Sequence, residues 1–330
     1  MQIQESISNF QAPATETISL TKANVRQYIR KFFEVSKKGC TSDTYASALE
    51  NFSLWVYFQD VNEITFATIE DYSNNYLQTT KSNATARLYL TAVRRFLRFF
   101  AKVTGTQDIG LLVDGIKAQQ RETHHHKPLT DDQERNLLTA VQRGIAKNQS
   151  PTQQERNSRN VAIIRLLTKL GLRTIEVARL NLEDIDTSSD VPALHILGKG
   201  NKIRTLAIPA NTFKALSEYV STYRKDAEPD EPVFVNISRD SNATGERLTT
   251  RSISRIVREH LDAIGVESNN RQYTAHSLRT TCACRVYRTT SNIIDVQKVL
   301  GHSDPKTSEI YAHDEMYRDE LKKSVLHLID

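Results

Sequence analysis

Apolar residues recur at helical spacing along most of this chain, and one stretch reads as strand instead. Val25, Tyr28, Ile29, Phe32 and Phe33 form one such face. Tyr45, Leu49, Phe52, Leu54, Trp55 and Phe58 form another behind the start signal Thr41-Ser42-Asp43. A shorter helix is predicted over about 66–77, and a longer one over about 83–103 with Leu88, Leu90, Val93, Leu97 and Phe100 facing inward. The exception comes at Ala193–Leu197 and Ile203–Ile208, which read as two strands joined by the hairpin Gly198-Lys199-Gly200-Asn201-Lys202. Around them, helices are predicted over about 131–147, 155–170, 211–225, 249–264, 276–288, 292–300 and 305–312, and from about 316 onward. The fold class is therefore mainly α: a helical N-terminal domain, then a mixed α+β domain whose helices carry a small antiparallel sheet.

The stretch from Gly105 to Lys127 lacks sustained periodicity and ends in His124-His125-His126-Lys127-Pro128, which marks a linker. The expected division is a loose polar leader over 1–20, a helical domain over 21–104, a linker over 105–128 and a second domain over 129–330. A length of 330 residues accommodates two domains. The net charge of +5 is compatible with a nucleic-acid partner without proving one. The three cysteines, Cys40, Cys282 and Cys284, fit neither a disulfide framework nor a zinc-site spacing, so reduced thiols in the cytoplasm are the simplest reading. The polar stretch Met1–Glu16 has no apolar signal core, and no apolar run reaches membrane-spanning length. The three linker histidines read more simply as added positive charge beside DNA than as a metal tract, and no metal site is expected.

Several short strings could carry chemistry. His276 and Arg279 are three apart, hence on one helical face, where Arg279 offers a planar fork for two phosphate oxygens. Gly171-Leu172-Arg173 sets an arginine at a sharp break between helices, with Glu176 placed to buttress it. Lys199 sits between glycines at the hairpin tip, which lacks the spacing of a nucleotide-binding phosphate loop. Leu300-Gly301-His302-Ser303-Asp304-Pro305 reads as a helix end followed by a new helix start, with Tyr311 on the helix beyond. Arg87, Arg94, Arg95, Arg98 and Lys102 share the long helix of the first domain. They form either a solvated face or a DNA-contacting one, and taken alone the solvated face is simpler. Singly each string has an ordinary structural explanation; together, in this order, they do not.

In that order they resemble the tyrosine recombinase, or phage integrase, family: Gly-Leu-Arg173-x-x-Glu176, Gly-Lys199-Gly-Asn-Lys202, His276-x-Leu-Arg279, Leu-Gly-His302-Ser and Glu-Ile-Tyr311-Ala-His313. The resemblance implies a core-binding domain and a catalytic domain closing on duplex DNA as a C-shaped clamp, with a layout like that of the two-domain Xer recombinases. It implies that Tyr311 attacks the scissile phosphate to give a 3′-phosphotyrosyl bond. Arg173 and Arg279 would hold the non-bridging oxygens, Lys199 would protonate the leaving 5′-oxygen, His276 would assist proton transfer, and His302 would position the phosphate. Glu176 would support Arg173, while Arg87, Arg94, Arg95, Arg98 and Lys202 would contact DNA. No cofactor, ATP or metal is implied. The partners implied are recombination sites in double-stranded DNA, three further copies of the chain in a tetramer on a Holliday junction, and an accessory directionality factor, in the cytoplasm with the nucleoid. Ile175, Thr280-Thr281, Cys282 and Cys284 depart from the family's usual residues and point toward an enzyme of a mobile element. The alternatives are a type IB topoisomerase-like relaxing enzyme and a catalytically silent DNA-binding regulator.

Overall fold

The computed structural model describes residues 19–35, 40–106, 127–144, 149–198, 203–237, 245–266 and 273–301. The helices predicted at about 305–312 and from 316, and His124, His125 and His126, lie outside the described residues. The chain divides into two compact units, Met1–Thr123 and His124–Asp330.

The first unit is built on helices α1 (Val25–Val35), α2 (Cys40–Phe58), α3 (Phe66–Asp71) and α4 (Asn83–Thr104). Its core gathers Leu20, Leu49, Phe52, Ile69, Tyr72 and Phe96, all fully buried. Leu20 falls within the leader expected over 1–20, yet its carbonyl accepts from the backbone of Ile64 at 2.8 Å and its side chain is core. The helix predicted over 66–77 is α helical only to Asp71. Tyr72–Leu77 is a π-helical segment, and Gln78–Thr80 returns to α geometry. Tyr72 and Tyr76 in that segment stack with ring centroids 5.6 Å apart. They bracket Asn51, which accepts from the Tyr72 hydroxyl at 2.9 Å and donates to that of Tyr76 at 3.1 Å. The buried phenol is thereby satisfied.

Helix α4 starts on Ser82, whose hydroxyl accepts from Thr85 N, and ends on the left-handed Gly105. Leu90, Ala92, Val93, Phe96, Leu97, Phe100 and Val103 form its buried stripe. Leu88, expected inward, is instead exposed. At about 3.6 residues per turn it lies two turns from Arg95 on the same face, and Phe96 fills the core position. Arg87, Arg94, Arg95, Arg98 and Lys102 occupy the face opposite that stripe, and the Arg95 guanidinium lies 5.5 Å from the Tyr45 ring centroid.

The second unit surrounds one helix. Thr130 and Gln133 make the reciprocal cap that starts α5 (Asp131–Arg143). Helix α6 (Pro151–Lys169) begins about four residues earlier than the periodicity predicts, because Ser150 caps it and Pro151 fits its first turn. Val161, Ala162, Ile163, Ile164, Leu166 and Leu167 are all buried, so α6 is apolar on every side over this stretch. Short helix α7 (Thr174–Arg179) follows, then a 3₁₀ turn (Leu182–Asp184) and a three-stranded antiparallel sheet. Its strands are β1 (Ile185–Asp186), β2 (Ala193–Leu197) and β3 (Ile203–Ala207). Ile185 pairs with Leu194, and Ile196 with Arg204. Beyond the sheet come α8 (Ala210–Tyr223), α9 (Thr250–Ala263), α10 (Ala275–Thr290) and α11 (Ile293–Leu300). Helices α5, α8 and α10 all pack on α6.

The Thr281 side chain ties helix α10 to the entry of its unit. The Thr281 hydroxyl donates to Ser277 O at 2.8 Å and accepts from the buried Leu129 N at 2.8 Å. Thr281→Val keeps the shape but strands that amide, and the expected loss of stability is about 1–3 kcal/mol by urea unfolding. Thr281→Ser, which keeps the hydroxyl, is expected to lose clearly less.

Candidate active site

Helix α6 ends on Leu170, and Gly171 turns the chain with φ of +65°. A Cβ at that glycine would lie 2.7 Å from Leu300 Cδ2 and 3.1 Å from Cys282 Sγ. Only glycine fits both the dihedral and the space. The turn delivers Arg173 to the N-cap of α7. There the Arg173 amide donates to Glu176 Oε2 at 2.8 Å, and its Nη1 donates to Glu176 Oε1 at 2.8 Å. The Arg-x-x-Glu spacing thus lets one carboxylate accept from both the N-cap amide and the N-cap guanidinium.

Glu176 is buried under three guanidinium groups. Arg204, from β3, donates Nη1 to Oε1 at 3.0 Å and Nη2 to Oε2 at 2.9 Å. Arg279 Nη1 lies 3.9 Å from Oε2. Burial pushes the Glu176 carboxyl upward, but the hydrogen bonds from Arg204 and Arg173 outweigh it and hold the group below its ordinary value.

Arg279 is the largest fully buried side chain among the described residues. Its Nη1 donates to Gly171 O, and its Nη2 to Leu300 O at 2.6 Å. Arg173 Nη1 reaches the same Leu300 carbonyl at 3.5 Å. The C-terminal end of α11 carries negative partial charge and so suits this pair of cations. Arg285, two turns further along α10, bonds Glu134 at 2.6 Å and Thr168 O at 2.7 Å, fixing α10 to the end of α6. Cys282 is buried between them, its thiol donating to Lys169 O at 3.3 Å; burial raises its pKa.

Arg173, His276 and Arg279 line one cleft of about 450 Å³. His276 is exposed in the first turn of α10, with its amide on the Thr274 hydroxyl at 3.1 Å. The cleft therefore combines three guanidinium groups, those of Arg173, Arg258 and Arg279, with an imidazole and a helix N-terminus, a setting that favours a tetrahedral oxyanion. Glu176 sits behind it. Lys199, Lys202, His302 and Tyr311 lie outside the described residues. Arg87, Arg94, Arg95 and Arg98 belong to the other unit.

Three features escape local sequence reasoning. Ser254 and Arg258, one turn apart on α9, and Tyr273 also line the cleft. Ile175, which departs from the family's usual residue, lines it too. Arg204 grips Glu176 from a strand. The one available signal for it is alternation: Arg204 and Leu206 face inward on β3 while Ile203, Thr205 and Ala207 are exposed.

Residues 127–318 match the phage integrase family. The tyrosine recombinase XerC of Caldanaerobacter subterraneus subsp. tengcongensis is 33% identical over 171 residues, covering 51% of this chain and 45% of that relative. The match thus spans less than half of that relative's length. XerC of Corynebacterium glutamicum is 27% identical over 276 residues, covering 84% of this chain and 80% of its own. Among solved structures, XerH site-specific recombinase bound to palindromic difH substrate aligns with a TM-score of 0.71 at 19% identity, over 99% of this chain and 89% of that one. A lambda integrase tetramer bound to a Holliday junction aligns with a TM-score of 0.62 at 18% identity, over 94% and 84%. Identities this low speak for the fold.

The depressed Glu176 carboxyl has a definite pH signature. A group whose pKa is lower in the fold adds stability above its unfolded value, near 4.5, and that stability is lost as pH falls through the lowered value. Glu176→Gln is expected to cost about 3 kcal/mol at pH 7 by urea unfolding. The gap between the two proteins should narrow as the pH is taken below 4.5. A gap that does not change with pH would mean the carboxylate's charge is not what stabilises the site.

Proposed function

The chain belongs to the phage integrase family, whose tyrosine recombinases break and rejoin DNA, and on that premise we infer that it recombines specific duplex sites through a 3′-phosphotyrosyl intermediate and a Holliday junction. The observation that carries the reading is the convergence of Arg173, His276 and Arg279 on one cleft in front of a buried carboxylate.

The roles follow from the chemistry of a phosphodiester. Tyr311 Oη attacks phosphorus in line, the bond to the 5′-oxygen breaks, and the DNA 3′ end is left on the protein. Arg173 and Arg279 face the non-bridging oxygens, where charge builds in the transition state. Arg279 is already held by two main-chain carbonyls, so little of its side-chain entropy remains to be lost when phosphate arrives. A phenol with a pKa near 10 needs cationic neighbours to give up its proton, and His276 takes the assisting role in this reading. Lys199 protonates the departing 5′-oxygen, and His302 hydrogen-bonds the phosphate. One phosphodiester is exchanged for another, so the reaction needs no ATP.

The arginine face of α4 and Lys202 supply contacts to the DNA backbone, making binding strongly salt dependent. Both units contact the duplex, and four copies assemble on the junction. Leu321, Val325, Leu328 and Ile329, outside the described residues, recur at near-helical spacing in the sequence, and in this reading that tail serves to dock on a neighbouring copy while an accessory factor sets direction. The departures around Ile175 and Cys282 favour integration or excision of a mobile element, in the cytoplasm at the nucleoid. No helix among the described residues is long and apolar enough to cross a membrane.

A suicide DNA substrate nicked beside the cut site tests the reading. The wild-type chain is expected to form a covalent adduct in the presence of EDTA, and Tyr311→Phe none. Arg173→Lys is expected to slow adduct formation by roughly 100-fold or more. An adduct that persists in Tyr311→Phe would refute the assigned nucleophile. Relaxation of a plasmid carrying no recombination site would point instead to a topoisomerase.

A further inference from the structure

Among the described residues, Arg204 is the one cation paired with Glu176 that does not line the cleft. Its side chain is 15% exposed and gives both terminal nitrogens to the carboxylate, one to each oxygen. Its Nε has no hydrogen-bond partner, so the fork toward Glu176 is the whole of its hydrogen bonding. A two-bond guanidinium–carboxylate pair fixes the plane of the carboxylate as well as its position. The same carboxylate then holds Arg173 through the amide and through Nη1. Arg204 also packs on Gly301: a Cβ there would lie 2.9 Å from its Cδ and its Nη1. Gly301 closes α11, whose last carbonyl, on Leu300, accepts from both Arg173 and Arg279. One side chain on β3 thus braces both structures that orient the cleft's arginines.

Charge points the same way. Three guanidinium groups surround one carboxylate. Arg204 offsets the carboxylate, which leaves Arg173 and Arg279 their charge for the phosphate. Without Arg204, Glu176 would draw on that pair alone.

We propose that Arg204 is a positioning residue for strand cleavage, acting through Glu176 to hold the guanidinium of Arg173 in register with that of Arg279. The proposal rests on the recombinase reading above. It says nothing of substrate contact, so DNA affinity and cleavage rate should separate.

Five proteins decide it: wild type, Arg204→Met, Glu176→Gln, the double variant and, as the conservative control, Arg204→Lys. In single-turnover cleavage of the nicked substrate, Arg204→Met is expected to be slower by about 10–100-fold, with its Kd for DNA within about threefold of wild type. Arg204→Lys, which keeps the charge but loses the fork, should recover part of the rate. In the Glu176→Gln background, adding Arg204→Met should change the rate by less than about threefold, because the link is already cut. Cleavage by Arg204→Met at the wild-type rate, or equal slowing in both backgrounds, would overturn the proposal. Urea unfolding of the same proteins needs no activity: Arg204→Met should destabilise the wild-type background and have little effect with Gln at 176. A wild-type chain that forms no adduct refutes the recombinase reading; the unfolding comparison still decides the Arg204–Glu176 link, and equal destabilisation in both backgrounds overturns it.

Discussion

A single carboxylate organises the second unit. Glu176 is almost fully buried, and a buried charge is tolerable only when opposite charges and donors meet it. Here they arrive from three directions: Arg173 from the same turn of chain, Arg204 from a strand, and Arg279 from α10. Arg204 and Arg279 are costly to bury alone, so they and Glu176 stabilise one another, while Arg173 keeps part of its side chain in solvent. That interdependence lets a cation as deep as Arg279 remain at the floor of a cleft.

The glycines on either side make the cluster geometrically possible. Gly171 and Gly301 both adopt left-handed conformations, and both are crowded where a side chain would begin. One turn brings Arg173 back toward the end of α11; the other brings the end of α11 against Arg204. Leu300 contributes twice, with its side chain against Gly171 and its carbonyl between two guanidinium groups. Backbone freedom at two positions is thereby converted into close packing of like charges around a shared anion.

How much of this could be read from the sequence depended on distance along the chain. Arg173 and Glu176 were legible because an Arg-x-x-Glu contact is local, and His276 with Arg279 because three residues make nearly one turn. Most helices were legible from their apolar stripes. The limits lie where a competing local rule or a long-range contact decides. Leu88 has the right residue type but the wrong angle for the stripe. The start of α6 is set by Ser150 and Pro151 rather than by apolar spacing. The π-helical segment answers to the side-chain demands of Tyr72 and Tyr76 around Asn51. Arg204, Arg258 and Ser254 reach the region of the cleft through tertiary folding alone, and helical or hairpin periodicity carries no trace of such partners. Two-strand alternation hints that Arg204 faces inward, yet it cannot name Glu176 as the reason.

The Leu300 carbonyl has a mechanical consequence. It belongs to the last peptide of α11, and the chain that continues toward 302 departs from that same peptide plane. Rotating the plane would swing the oxygen away from Arg279 Nη2, now 2.6 Å distant, and from Arg173 Nη1. The orientation of that one peptide plane therefore sets the hold on both guanidinium groups at once.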